Sequence, residues 1–311
     1  MKRSELAVVF ATLLICVTGF PATADSDDES KLGEWSAATN LGLTINTTFN
    51  EFGPGLTPDG KSLYFTSDRP GGIGQSDLWV SQRANKNAPW GPPVNLGTPV
   101  NSTTFDSVPS FTRDGHWMFF VSDRQGGFGG LDIWVSFRVN PNDDFAWQSP
   151  TNLGAPINTA FLDAGPVLVE EGNTDILYFN SDRPGVGVQG SHEFYTSVRQ
   201  ADGSFGTPML VTALNSPLAD QRLTIRKDRR EVFFFSNRAG SAGNDLWTST
   251  RDDRDGQWGT PTKLGSAVNS VANETQATLS RDALMLVFSS NRTGGVGGFD
   301  LYVTTRTKGA G

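Results

Sequence analysis

Five acidic residues recur at one place in a repeated frame. They are Glu51, Asp106, Asp163, Asp220 and Glu274, each five residues after an asparagine (Asn46, Asn101, Asn158, Asn215 and Asn269). A second recurring element, Ser-Asp/Asn-Arg, ends in Arg69, Arg124, Arg183, Arg238 and Arg292. Carboxylates gathered by a repeat admit three chemistries. The arginines can fork onto them and neutralise them. The carboxylates can hold a hard cation such as Ca²⁺, with carbonyls of nearby glycine-rich loops completing the oxygen shell. Two of them with divergent pKa values can act as the acid and base of glycoside hydrolysis. The two histidines, His116 and His192, are too few for an imidazole metal cluster. Ser191 beside His192 is not a triad signal, because triad partners converge in space rather than in sequence.

The frame that must position these residues is a repeat of roughly 55 residues. Successive Ser-Asp/Asn-Arg motifs, from Ser67 to Ser290, are spaced 55, 59, 55 and 54 apart. Each copy runs from the acid into a short apolar stretch, then a turn such as Pro58-Asp59-Gly60, Arg113-Asp114-Gly115 or Arg281-Asp282-Ala283. An alternating strand ("SLYFTS", "WMFFVS"), a glycine-rich loop, a third strand ("DLWVSQR", "DIWVSFR") and a closing stretch ("WGPPVNLG") follow. Period-2 alternation bounded by Gly, Pro, Asn and Asp predicts strands, and no segment carries a helical period. Four strands per repeat predict an all-β, five-bladed β-propeller with four-stranded antiparallel blades. The chain stops after the third strand of its fifth copy. The missing fourth strand stands at the front, where Trp35–Leu41 matches the closing stretches at Trp90, Trp147 and Trp258. The N-terminal strand is therefore expected to complete the last blade and close the ring, which removes a free sheet edge. The expected blades are 46–96, 101–153, 158–211, 215–264 and 269–306 plus 35–41.

The Pro-Asp-Gly turn, the Phe65-x-Ser67-Asp68-Arg69 strand end and the Asp77-Leu78-Trp79 third strand resemble the WD-repeat-like, TolB-type propellers of bacterial envelope and secreted proteins. The resemblance covers residues 35–306. It implies a binding scaffold, often for protein partners in the cell envelope.

In such a blade, the start of the inner strand and the end of the second strand share a face. All five acids and all five arginines are therefore expected around one channel mouth. A two-residue turn at Asp59-Gly60 predicts Glu51 opposite Asp68, and the same register pairs Asp106 with Asp123, Asp163 with Asp182, Asp220 with Asn237 and Glu274 with Asn291. Where the repeat is broken, function is expected. Blade 3 has a longer loop (184–194) carrying His192, and blade 4 replaces the usual proline after the acid with Gln221-Arg222-Leu223. His192 and Arg222 thus join the ten ring residues as binding candidates. The repeated Asp77, Asp132, Glu193, Asp245 and Asp300 read as loop ties, and Trp79, Trp134, Tyr195, Trp247 and Tyr302 as packing between blades.

The formal charge of −8 disfavours nucleic acid and anionic membranes as partners. Lys2 and Arg3, an apolar run to Phe20 and Ala22-Thr23-Ala24 predict a cleaved signal over residues 1–24, followed by an acidic segment at 25–34 and a tail at 307–311. No membrane insertion is expected, and the location is periplasmic or secreted. The single cysteine, Cys16, lies in that signal, so thiolate catalysis and disulfides are excluded from the exported chain. The expectation is a monomeric, non-catalytic scaffold without a required cofactor, Ca²⁺ being the one candidate, that docks a protein or glycan on its acidic face. The alternative is an enzyme similar to the five-bladed glycosidases, using the same mouth carboxylates.

Overall fold

A computed structural model describes residues 32–309, apart from 172, 173, 186, 188 and 189 and the side chain of Glu171. The expected signal at 1–24 and most of the acidic segment lie outside the described residues. Five four-stranded antiparallel sheets form a five-bladed propeller. The inner strands are Glu51–Leu56, Asp106–Phe111, Asp163–Glu171, Asp220–Ile225 and Glu274–Leu279. The ring closes as the sequence predicts. Thr39–Asn40 pairs with Asp300–Thr305 in the register Thr39↔Val303 and Asn40↔Tyr302, so the first strand is the outer strand of the last blade.

The core lies between blades rather than within one. Tyr64, Leu78 and Val80 of the first blade pack with Met118 and Phe120 of the second, and Leu63 and Phe65 with Val287 and Leu301 of the fifth. Each sheet is too thin to bury both faces alone, so neighbouring blades must supply the second layer.

The hairpin register agrees with expectation near the turns and departs from it at the acids. Leu56 pairs with Leu63 and Gly55 with Tyr64, as a turn centred on Asp59-Gly60 requires. Between Phe52 and Gly55 a β-bulge inserts one residue, so Glu51 pairs with Ser67 instead of Asp68. The same slip pairs Asp106 with Ser122, Asp163 with Ser181, Asp220 with Ser236 and Glu274 with Ser290. The bulged residue has positive φ in every blade: Gly53 (58°), Val108 (58°), Gly165 (63°), Arg222 (40°) and Gln276 (51°). An extra residue on one strand bends and twists it, here on the strand that lines the channel.

Candidate functional site

The five inner-strand acids are not a docking face. Glu51, Asp106, Asp163, Asp220 and Glu274 are each 0% exposed. Each carboxylate is closed by the arginine two residues after its cross-strand serine. Arg69 Nη2 lies 3.0 Å from Glu51 and Arg292 Nη2 3.0 Å from Glu274, and Arg124, Arg183 and Arg238 pair likewise with Asp106, Asp163 and Asp220. The second carboxylate oxygen accepts a backbone N–H four residues upstream, from Thr47 (2.7 Å), Ser102 (2.6 Å), Thr159 (2.7 Å), Ser216 (2.5 Å) or Ser270 (2.7 Å). The guanidinium also donates to the carbonyl of the residue before the repeated asparagine, such as Ile45 O at 2.6 Å. That asparagine bonds both backbone groups of one third-strand residue: Leu301 N donates to Asn46 Oδ1 at 2.8 Å, and Asn46 Nδ2 donates to Leu301 O at 3.0 Å. Asn–acid–arginine is a staple that stitches each blade to the one before it.

The remaining repeated residues are equally committed. Asp68 accepts from Asn50 N at 2.8 Å, and Asp123 from Phe105 N at 2.9 Å. The side chain of Asp77 accepts from Gly74 N at 3.1 Å and Asn95 Nδ2 at 3.0 Å, tying down its glycine-rich loop. Trp79 and Trp134 are buried under Arg69 and Arg124, whose guanidiniums lie 5.2 Å from the ring centroids. Half-buried His192 bridges Ala219 at this same end of the ring, and burial lowers its pKa. Among the described residues no group of three or more carboxylate, imidazole or thiol side chains converges as a metal site, so the Ca²⁺ expectation finds no donor cluster there.

One open space lies at the other mouth, where the inner strands end. A funnel of about 190 Å³ runs from Arg222 in mid-channel to a rim that includes Pro58, Arg113, Glu170, Lys227 and Arg281. At roughly 30 Å³ per liquid water, this holds about six waters, the size of a single sugar ring. Blade 3 shapes the rim, because its inner hairpin is longer than the others, with strands Asp163–Glu171 and Thr174–Ser181. The extension carries Glu170 directly opposite Asp175. Burial pushes the Glu170 carboxyl up, and the facing charges of Asp114 and Asp175 add to that. The Arg113 backbone N–H, donating at 3.1 Å, works against it. Asp175 is ion-paired to Arg199 at 3.2 Å.

Of the twelve binding candidates read from sequence, only Arg222 lines this funnel. Glu170 was missed because it belongs to no repeat. The one available signal was the 59-residue spacing of blade 3, with Glu170-Glu171 standing where the other copies carry Pro58-Asp59, Arg113-Asp114, Lys227-Asp228 and Arg281-Asp282.

This architecture is shared with carbohydrate-cleaving propellers. An α-L-arabinofuranosidase from Podospora anserina aligns at TM-score 0.59 and 11% identity, over 89% of this chain and 97% of that one. The catalytic domain of a GH62 α-L-arabinofuranosidase from Coprinopsis cinerea aligns at 0.60 and 12%, over 89% and 98%. A family 117 glycoside hydrolase from the marine bacterium Zobellia galactanivorans aligns at 0.55 and 12%, over 90% and 95%. At such identities the likeness is one of fold. No family model matches the chain, and no curated protein matches it. The expectation of a non-catalytic scaffold docking on an acidic face is corrected on two counts. The similar solved propellers are glycoside hydrolases, and the acids that were to form the face are buried in staples.

Proposed function

We propose that the protein is an exported, glycoside hydrolase-like enzyme whose site is the funnel at the Glu170 rim. The observation that carries this reading is Glu170 itself, a carboxyl lining a sugar-sized cavity and held toward its protonated form. A raised carboxyl beside a second, differently placed one is the arrangement that divides acid from base. Glu170 donates its proton to the glycosidic oxygen as the bond to the anomeric carbon breaks. Asp175, its cross-strand neighbour, stands outside the funnel lining in an ion pair with Arg199, and its charge helps hold the proton on Glu170; a water attacks the anomeric carbon and releases its own proton to solvent.

The test is incubation with a panel of oligosaccharides, neutral and acidic, reading new reducing ends by chromatography and the anomer first formed by NMR. Cleavage that disappears in Glu170→Gln is the expected result. Saturable binding of a saccharide with no cleavage at any pH between 4 and 9 sinks the enzymatic reading.

A further inference from the structure

The centre of the channel holds an arginine without a carboxylate. Arg222 is 4% exposed and projects from the bulge of blade 4 across to the opposite blades. Its Nη2 donates to Pro54 O at 2.7 Å and Pro109 O at 3.1 Å. Its backbone N–H donates to Asn180 Oδ1 of blade 3 at 3.1 Å, and the approach is close enough to require glycine beside it. A Cβ on Gly165 would collide with Asn180 Oδ1 and lie 3.1 Å from Arg222 Cα. Arg222 Nη1 has no hydrogen-bond partner among the described residues, and neither does the hydroxyl of Ser110. Both residues line the funnel.

A strut between blades would be satisfied by a neutral side chain. A buried guanidinium costs far more, and native proteins pair such charges. Each ring arginine, at the far mouth, has its own carboxylate, whereas Arg222 has two carbonyls and, in Nη1, a buried donor without a partner among the described residues. Burial with no compensating charge lowers its pKa to about 9. The rim above it carries Arg226 and Arg229, which are ion-paired to Asp228 and Asp255, together with Arg113, Lys227, Arg281 and the carboxylate of Glu170. Arg222 is thus a lining charge with no carboxylate beside it, and low-dielectric channel walls focus its field on an entering anion.

We propose that the funnel takes an anionic saccharide, whose carboxylate or sulfate group is received by Arg222 Nη1 and the Ser110 hydroxyl at the channel floor. This rests on the glycoside-acting reading of the same funnel and names its substrate class. The floor supplies an oxyanion hole of fixed donors, and the ring of the sugar is held above it at the level of Glu170.

The experiment is calorimetric titration of the full propeller, as wild type and as Glu170→Gln so that turnover does not intervene. The probes are a trigalacturonate, a sulfated galacto-oligosaccharide and a neutral xylotriose. Expected is at least tenfold tighter binding of one anionic probe than of the neutral one, an advantage that shrinks as salt is raised and as inorganic sulfate is added. The anionic probe that binds tells uronate from sulfate ester. Arg222→Gln should erase the preference. Because that residue also props the channel, Ser110→Ala serves as the second variant and should weaken the anionic probe several-fold with neutral binding unmoved. Equal affinity for neutral and anionic probes, or a preference that survives both variants, overturns the inference. Cleavage of a neutral glycan without anionic preference defeats this inference and leaves the enzyme standing. Tight anionic binding without cleavage does the reverse.

Discussion

The two mouths of the channel are made from opposite ends of the same five strands, and they differ in every respect that matters to function. At the starting end each blade repeats one solution: an asparagine that grips the third strand of the neighbouring blade, and a fully buried carboxylate closed by a largely covered arginine. At the finishing end the blades diverge, and only the second and fifth carry the same residue. Rim residues there are Pro58, Arg113, Glu170, Lys227 and Arg281. Repetition marks what every blade needs, which is attachment to its neighbour. A ligand meets the ring once and needs different groups around it, so its site lies where the repeat lapses.

The comparison breaks most directly at the staples. Arg183→Met would leave Asp163, 0% exposed, without its counter-charge. Removing one partner of a buried pair costs about 3–5 kcal/mol. Urea unfolding should register a loss of that size, with similar values for Arg124→Met and Arg238→Met if the five staples are equivalent. A loss below about 1 kcal/mol would show the carboxylates to be solvated and would return the acidic face to consideration.

At the other mouth the expected loss is in activity rather than stability. Glu170→Gln keeps the shape and removes the proton, and general acid catalysis is typically worth about 10²–10⁴-fold. The cleavage rate should fall within that range with no loss of Tm.

The pH behaviour of the two forms sharpens the same point. Burial and the facing carboxylates raise Glu170, so the folded chain holds that proton to higher pH than the unfolded chain does. Stability therefore falls as pH rises from the ordinary glutamate range through the raised value, and the deficit persists above it. Glu170→Gln should melt above wild type near neutral pH, with the gap closing in acid. Cleavage by wild type should decline as pH rises through the same interval. A variant that melts below wild type at neutral pH would mean Glu170 is a stabilising ionised group and no acid.

The fold was legible because turns, strand alternation and the displaced fourth strand all repeat, and agreement among copies fixed the turn centres and the ring closure. The one-residue slip at the acids was not legible. A bulge needs positive φ at its extra residue, and that position holds Gly53, Val108, Gly165, Arg222 and Gln276, of which only the glycines advertise it. The slip matters because it sets the acids against serines and frees the arginines to close on them. Ring residues attracted attention through recurrence, and recurrence was the sign of architecture. Arg222 was found for the opposite reason, as a departure from the repeat. Glu170 carries no such mark, because blade 3 departs from the repeat in two places, the loop around His192 and the longer inner hairpin, and only the hairpin reaches the funnel.

The smallest expected effect compares equivalent bulges. Val108, Arg222 and Gln276 hold a left-handed backbone that costs a side-chain-bearing residue roughly 1–2 kcal/mol. Glycine removes that strain but loses about 0.5–1 kcal/mol to its freer unfolded chain. Gln276→Gly should thus shift stability by no more than about 1 kcal/mol and leave saccharide affinity where it was. Arg222→Gly enjoys the same backbone relief and also sheds an uncompensated buried charge, so it too should fold, while losing the preference for the anionic probe. Equal loss of binding in both variants would mean that the channel works through the shape of its bulges. Loss confined to Arg222→Gly would mean that five geometrically equivalent positions differ because one of them carries the charge.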